Sequence, residues 1–236
     1  MSSIRDTEVL ADTVIRYPAA LWVVERFGIP FGFGDKTIGE IADEHGIPRE
    51  LFLTVLNMSI DEQYTPSIFE HFDCLPYLLN YLRNSHSYFT EEQIPQLKAE
   101  FQRFIRESND ESTRIISQIF EHYISEVVTH TNYENDVVFD YIEQLYRSYL
   151  NGHELDKNIA YRIGIYGAHH DDIETVLMDL LNILLRHLPE GKNTRVRRDL
   201  ILHLLHLQQD LSVHSRLENE LLIPTVHRLE RTMNLV

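Results

Sequence analysis

Two segments of this 236-residue chain carry the same pair of polar residues at helical spacing. One is His214-Ser-Arg-Leu-Glu218-Asn-Glu-Leu-Leu-Ile-Pro224, and the other is His130-Thr-Asn-Tyr-Glu134-Asn-Asp-Val-Val-Phe139. A His and a Glu four residues apart share one face of a helix, so each pair points two metal-ligating groups the same way. The offset between the segments is 84 residues, for the His and for the Glu alike. His86 and His170 obey the same offset, and each stands 44 residues before the His of the segment that follows it. A repeated helical hairpin produces such a pattern. It makes a metal site the leading expectation.

The apolar pattern supplies the helices. Four long runs at helical period are expected: about Leu75 to Glu107, Asp110 to Leu150, Glu154 to Leu188, and Thr194 to Met233. Pro95 is a candidate kink, and the second and third runs stop at Asn151-Gly152 and at Pro189-Glu-Gly191. No stretch alternates as a strand would. Four such helices with short connections predict an antiparallel bundle, whose sites are built from the inward side chains of facing helices. The phase agrees with that. His130 lies seven residues after Tyr123 and seven before Val137, His170 seven from Ile163 and Leu177, His214 seven from Leu207 and Leu221. His86 lies seven after Leu79 and three before Phe89. Each His therefore falls on the face its helix buries, with Glu134 and Glu218 one turn further on. Buried imidazoles and carboxylates are costly unless paired or metal-bound.

A lone His on an apolar stripe is more often a hydrogen-bonded core residue than a ligand. His-x-x-x-Glu also arises by chance, as His122/Glu126 illustrates: it sits about 80° off the His130 stripe, on a solvated or boundary face. Four interior histidines and two interior glutamates on one common offset are harder to obtain that way. Six ligands, four imidazole and two carboxylate, exceed a tetrahedral zinc site and suit two ions bridged by the carboxylates, with open positions for a small ligand. Iron fits best, and ligand type alone also admits manganese or zinc. Around this set, Glu174 lacks a symmetric partner, because its counterpart is Thr90. His169 points about 100° away from His170. His203 faces the same way as His214, while Tyr133 and Tyr166 are candidate hydrogen-bond partners whose commoner role is core packing.

The rest of the chain sets bounds. Residues 1–58 form a small helical unit, with helix over Thr7 to Phe27 broken near Pro18 and a Gly28–Gly34 loop. Two short helices follow, over Thr37 to His45 and Pro48 to Asn57. That last pair has the outline of a helix-turn-helix, but Glu40, Asp43, Glu44 and Glu50 against Lys36 and Arg49 suit phosphates poorly. Residues 59–74 read as a linker and 75–236 as the bundle. A net charge of −16 argues against nucleic acid or an anionic membrane surface as a partner. The longest apolar runs are too short to span a bilayer. With no apolar signal region and Cys74 as the single cysteine, a cytoplasmic location is expected.

The residues resemble the di-iron iron–sulfur cluster repair proteins, whose C-terminal part is a hemerythrin-like four-helix bundle. His214 to Pro224 is similar to that family's fourth-helix motif, and His130 to Phe139 to its second-helix motif, with Asp140 where the family often has Pro. His170-Asp171 resembles the third-helix His-Asp, with Glu174 replacing a commonly small residue. Asn84-Ser-His86-Ser-Tyr88 resembles the first-helix motif, with a His-His pair reduced to His86-Ser87. The resemblance implies an all-α chain in which a small N-terminal domain precedes an antiparallel bundle. It also implies two iron ions, oxo- or hydroxo-bridged, with His86, His130, His170 and His214 as terminal ligands and Glu134 and Glu218 as bridges. Phe27 to Phe31 and Lys36 to Ile38 match the small domain of that family. The chain departs from it at Phe31-Gly32-Phe33-Gly34, where the family carries a Cys pair followed by glycine, so the chemistry of that pair is absent.

Two functions follow as expectations. One is repair of iron–sulfur clusters damaged by nitric oxide or oxidants, with the damaged proteins as partners. The other is a hemerythrin-like sensor or carrier of O2 or NO without repair activity, which the missing Cys pair favours. Whether either is enzymatic is open, as is a homodimer. No nucleophilic triad and no phosphate-cradling glycine loop is present.

Overall fold

In the computed structural model, the described residues are 3–108, 112–153, 155, 160–169, 173–187 and 194–236. Among them no strand forms, and one isolated antiparallel bridge joins Val9 to Thr37. The protein is all-α. Short helices α1 (Leu10–Arg16), α2 (Ala20–Arg26), α3 (Ile38–Glu44) and α4 (Arg49–Ile60) come first. The break between α1 and α2 falls where Pro18 predicts it. Tyr17, the residue before the proline, is forced out of helical geometry to φ −131° and ψ 88°. Gly28 then takes φ 71°, a left-handed conformation that ends the α2 segment. Thr37 opens α3 with a reciprocal cap: its side chain accepts from the Glu40 N–H, and the Glu40 carboxylate accepts from the Thr37 N–H.

The four long runs follow. The first is α5 (Leu75–Ser87), a π-helical segment Tyr88–Gln93 and α6 (Ile94–Ser108). The second is α7 (Ser112–Tyr133), a π segment Glu134–Val138 and α8 (Phe139–Asn151), stopped by Gly152 at φ 63°. The third comprises α9 (Ile163–His169), α10 (Ile173–Asn182) and a π segment Ile183–His187. The fourth is α11 (Thr194–Arg216), a π segment Leu217–Leu222 and α12 (Ile223–Thr232). The π segments correct one expectation. Val137 was placed on the buried stripe and is 38 % exposed, whereas Val138 and Phe139 are fully buried. A π turn holds more residues than an α turn, so the apolar phase slips by one position after Glu134. No described helix is long and apolar enough to cross a membrane.

By contact density the chain divides into two units, each with its own core. The first comprises Met1–Ser85, Val137–His169 and Val213–Val236. Its core joins Leu10 and Phe52 of the short helices to Tyr81, Phe139, Ile163 and Leu221 of the long runs. Phe69, Phe72 and Cys74, from the stretch between α4 and α5, are buried in the same core. Within this unit α4 packs on α2 and α3, and α12 on α8 and α9. Glu230 of α12 is fully buried, and its Oε1 accepts from the Tyr141 hydroxyl at 2.5 Å and from the Ile163 N–H at 2.8 Å. That carboxylate satisfies an N–H at the start of α9 that has no partner within its own helix.

The second unit comprises His86–Asp136 and His170–Ser212. There α7 packs on α6 and α10, around Leu97, Phe104, Tyr123, Leu177 and Leu207. Phe101 and Phe120 stack with ring centroids 4.1 Å apart. The Arg197 guanidinium donates to the Leu184 carbonyl in the π segment that follows α10.

Candidate metal centre

His86 lies in the last turn of α5, 1 % exposed. His130 lies in the last turn of α7, and Glu134 opens the π segment that follows, fully buried. The four-residue spacing brings His130 Nε2 to 2.8 Å from Glu134 Oε1. His86 Nε2 approaches the other oxygen, Oε2, at 3.1 Å. One carboxylate thus presents each of its oxygens to a different imidazole. His86 is fixed from its far side as well, with Nδ1 2.9 Å from the side-chain oxygen of Asn135. When Nδ1–H donates there, Nε2 carries the ligating lone pair.

The counterpart pair shows the same arrangement. His214, 5 % exposed, sits near the end of α11, and its Nε2 lies 3.2 Å from Oε1 of the fully buried Glu218. Glu218 is the second residue of a π segment, as Glu134 is the first of another. The repeat seen in the sequence is therefore a repeat of local structure too: each His lies in the last turn of an α-helical stretch and each Glu within the first two residues of a π segment. Such turns recur at functional sites because they re-aim side chains by a fraction of a helical turn.

Each unit thus brings its own donors together, His86 and His130 about Glu134 in the second and His214 beside Glu218 in the first. An ion with donor bonds of about 2.0–2.2 Å closes such a set with small side-chain adjustments. Buried donors of mixed imidazole and carboxylate type, with no Lys or Arg among them, suit a cation. His130 is less buried than His86, Glu134, His214 and Glu218, its side chain 13 % exposed beside Oε1 of Glu134. His170 lies outside the described residues, and so do the side chains of His169 and Glu174.

The neighbouring candidates fall elsewhere. His203 is held by Glu100 at 3.0 Å from Nδ1 and by Gln93 at 2.8 Å from Nε2. His122 and Glu126 lie 3.8 Å apart with side chains 66 % and 45 % exposed, on the solvated face their phase indicates. Tyr166 is buried in the core, whereas Tyr133 is 42 % exposed, so core packing is not its role. Phe31, in the stretch where the resembled family carries a Cys pair, is 64 % exposed, and Phe33 packs edge-on to it. Cys74 is 6 % exposed, and burial with the charges of Asp73 and Glu50 pushes its thiol up to about 12. Sequence reasoning assigned no role to Asn135, although it shares the 84-residue offset: Asn219 follows Glu218 as Asn135 follows Glu134.

No curated protein matches the chain. The family model of the hemerythrin HHE cation binding domain matches residues 78–226, more than half of the chain, from within α5 to within α12 and including His86, His130, Glu134, His214 and Glu218. By that match, the chain belongs to the hemerythrin HHE cation-binding family.

Proposed function

We propose that this protein binds two iron ions and uses them to engage nitric oxide or an oxidant, in support of repairing iron–sulfur clusters that such agents damage. The observation that carries the reading is Glu134, whose two oxygens face two different imidazoles, as a carboxylate shared between two ions requires. In this reading His86, His130 and Glu134, with His214 and Glu218 from the other half of the repeat and His170 by its place in that repeat, would hold the two ions. Iron held there would supply binding of a diatomic ligand and exchange of electrons with it.

This chain's own residues do the rest. Asn135 orients His86, the buried flanks of α5 and α11 keep bulk water from the carboxylates, and the π turns aim Glu134 and Glu218 at the donors. A cytoplasmic location and damaged iron–sulfur proteins as partners belong to the same reading. Metal analysis of protein from iron-rich medium tests the centre: about two irons per chain are expected, and their loss in a His130→Ala/His214→Ala variant. Restoration of a nitric-oxide-damaged cluster enzyme by the iron-loaded protein tests the repair role. Normal iron loading without restoration rejects it.

A second reading is favoured by one feature. Where a Cys pair would stand, the chain has exposed Phe31 and partly buried Phe33, and Cys74 is buried. A protein without accessible thiols suits a sensor or carrier of O2 or NO. A reversible spectral change on gas exposure, with no repair and no turnover, is the outcome that selects this reading.

A further inference from the structure

Two side chains next to the candidate ligands reach away from the centre to the N-terminal helices. Asn84 stands two residues before His86 on α5, and its Nδ2 donates to the Arg26 carbonyl at 2.7 Å. Arg26 is the last residue of α2 and is 5 % exposed. Arg216 stands midway between His214 and Glu218. Its guanidinium donates to the carbonyls of Met58 at 3.2 Å, Asp61 at 3.3 Å and Tyr64 at 2.6 Å. Glu220, one turn on, holds the same guanidinium, with Nε donating to its Oε1 at 3.0 Å.

The chemistry at both contacts is the same. The last carbonyls of a helix have no intrahelical partner and carry the negative end of its dipole. Arg216 satisfies Met58 in the last turn of α4 together with two carbonyls just beyond that helix, and Asn84 satisfies the last carbonyl of α2. A guanidinium is a rigid planar fork, so three carbonyls around it fix the turn of helix from which it springs. That turn is the one that separates His214 from Glu218. Any rotation or slide that re-aims those two side chains strains the bonds to residues 58–64. All of these contacts lie within the first unit.

We infer that the N-terminal helices clamp the ligand-bearing turns through Arg216 and Asn84, so that metal occupancy and the docking of residues 58–64 are thermodynamically coupled. The inference rests on the metal centre proposed above. Coupling of this kind is reciprocal: if metal tightens the clamp, the clamp tightens metal by the same factor. An N-terminal segment that loosens would then lower metal affinity without touching a ligand. A purely structural Arg216 behaves differently, since its loss lowers stability but leaves the metal affinity of the folded chain unchanged.

Amide hydrogen exchange on the full chain, with and without saturating Fe(II) under anaerobic conditions, tests this. The amides of Asp61 and Tyr64, which bond to Asn57 and Asp61, report the clamp. Metal is expected to slow their exchange by about fivefold or more. Arg216→Met is expected to weaken Fe(II) binding by a similar factor and to abolish the metal-dependent slowing, with Asn84→Ala having the same direction and a smaller size. If Arg216→Met does not fold, Arg216→Lys and the wild-type exchange data decide. The inference is overturned if iron binds normally and exchange at residues 61–64 does not respond, or if folded Arg216→Met binds iron as the wild type does. A wild type that takes up no iron overturns the metal centre itself, and the coupling with it.

Discussion

Asn135 and Cys74 show how much one side chain's surroundings decide. The side-chain oxygen of Asn135 lies 2.9 Å from Nδ1 of His86, and with Nδ1–H donating there Nε2 turns its lone pair toward Glu134. Removing such a partner commonly costs metal affinity about 10–100-fold. Asn135→Leu is therefore expected to lose affinity on that scale in a chelator competition, while Asn135→Asp, which keeps an acceptor, is expected to retain it. Equal affinities for Asn135→Leu and the wild type contradict the assignment. Cys74 is the opposite case, a thiol that burial takes out of use. With its pKa pushed from 9.0 up to about 12, the folded chain keeps a proton that the unfolded chain gives up above about pH 9. The stability this group contributes is thus present below pH 9 and falls as pH rises toward 12. Two measurements check it: labelling at pH 8 is expected only after unfolding, and the unfolding midpoint is expected to fall less between pH 8 and 10.5 in Cys74→Ala than in the wild type.

At the level of the helix, the sequence announced the runs but not their interruptions. Leu79, Tyr123, Leu177 and Leu207 are all buried as their seven-residue relation to the histidines predicts. The His-x-x-x-Glu pairs were legible for the same reason: four residues along a helix is a fixed geometry. The π turns were not, because a 3.6-residue period assumes that no residue is inserted. Glu134 lies at such an insertion, and the stripe beyond it moves from Val137 to Val138. Paired substitutions measure that shift. Val138→Ala is expected to cost about 1.5–3 kcal/mol in denaturant unfolding, and Val137→Ala no more than about 0.5 kcal/mol. An uninterrupted α-helix reverses the order. Arg216 and Asn84 were hidden for another reason. On a helical wheel they look like ordinary polar surface, and only the folded chain brings the ends of α4 and α2 to them.

At the scale of the whole molecule, an acidic chain keeps two fully buried carboxylates beside imidazoles, and a cation binding there favours the folded form alone. Loading at 100 times the dissociation constant is expected to add about 2.7 kcal/mol to stability, read as a rise in unfolding midpoint that a chelator reverses. An unchanged midpoint in a protein shown to bind metal contradicts preferential binding to the folded state. The core of the first unit has a further consequence, for the order in which the chain acquires structure during synthesis. Leu10 and Phe52 share one buried cluster with Leu221 and Leu229, and Arg216 bonds the carbonyls of Met58, Asp61 and Tyr64, so this core closes through contacts between the two ends of the sequence. Contacts that distant form late, because each needs a long loop to close first. The N-terminal helices emerge from the ribosome before α12 and are expected to complete their packing only after it has emerged. A nascent chain halted before α12 is expected to expose them to protease, although every residue of α1 to α4 has already been made.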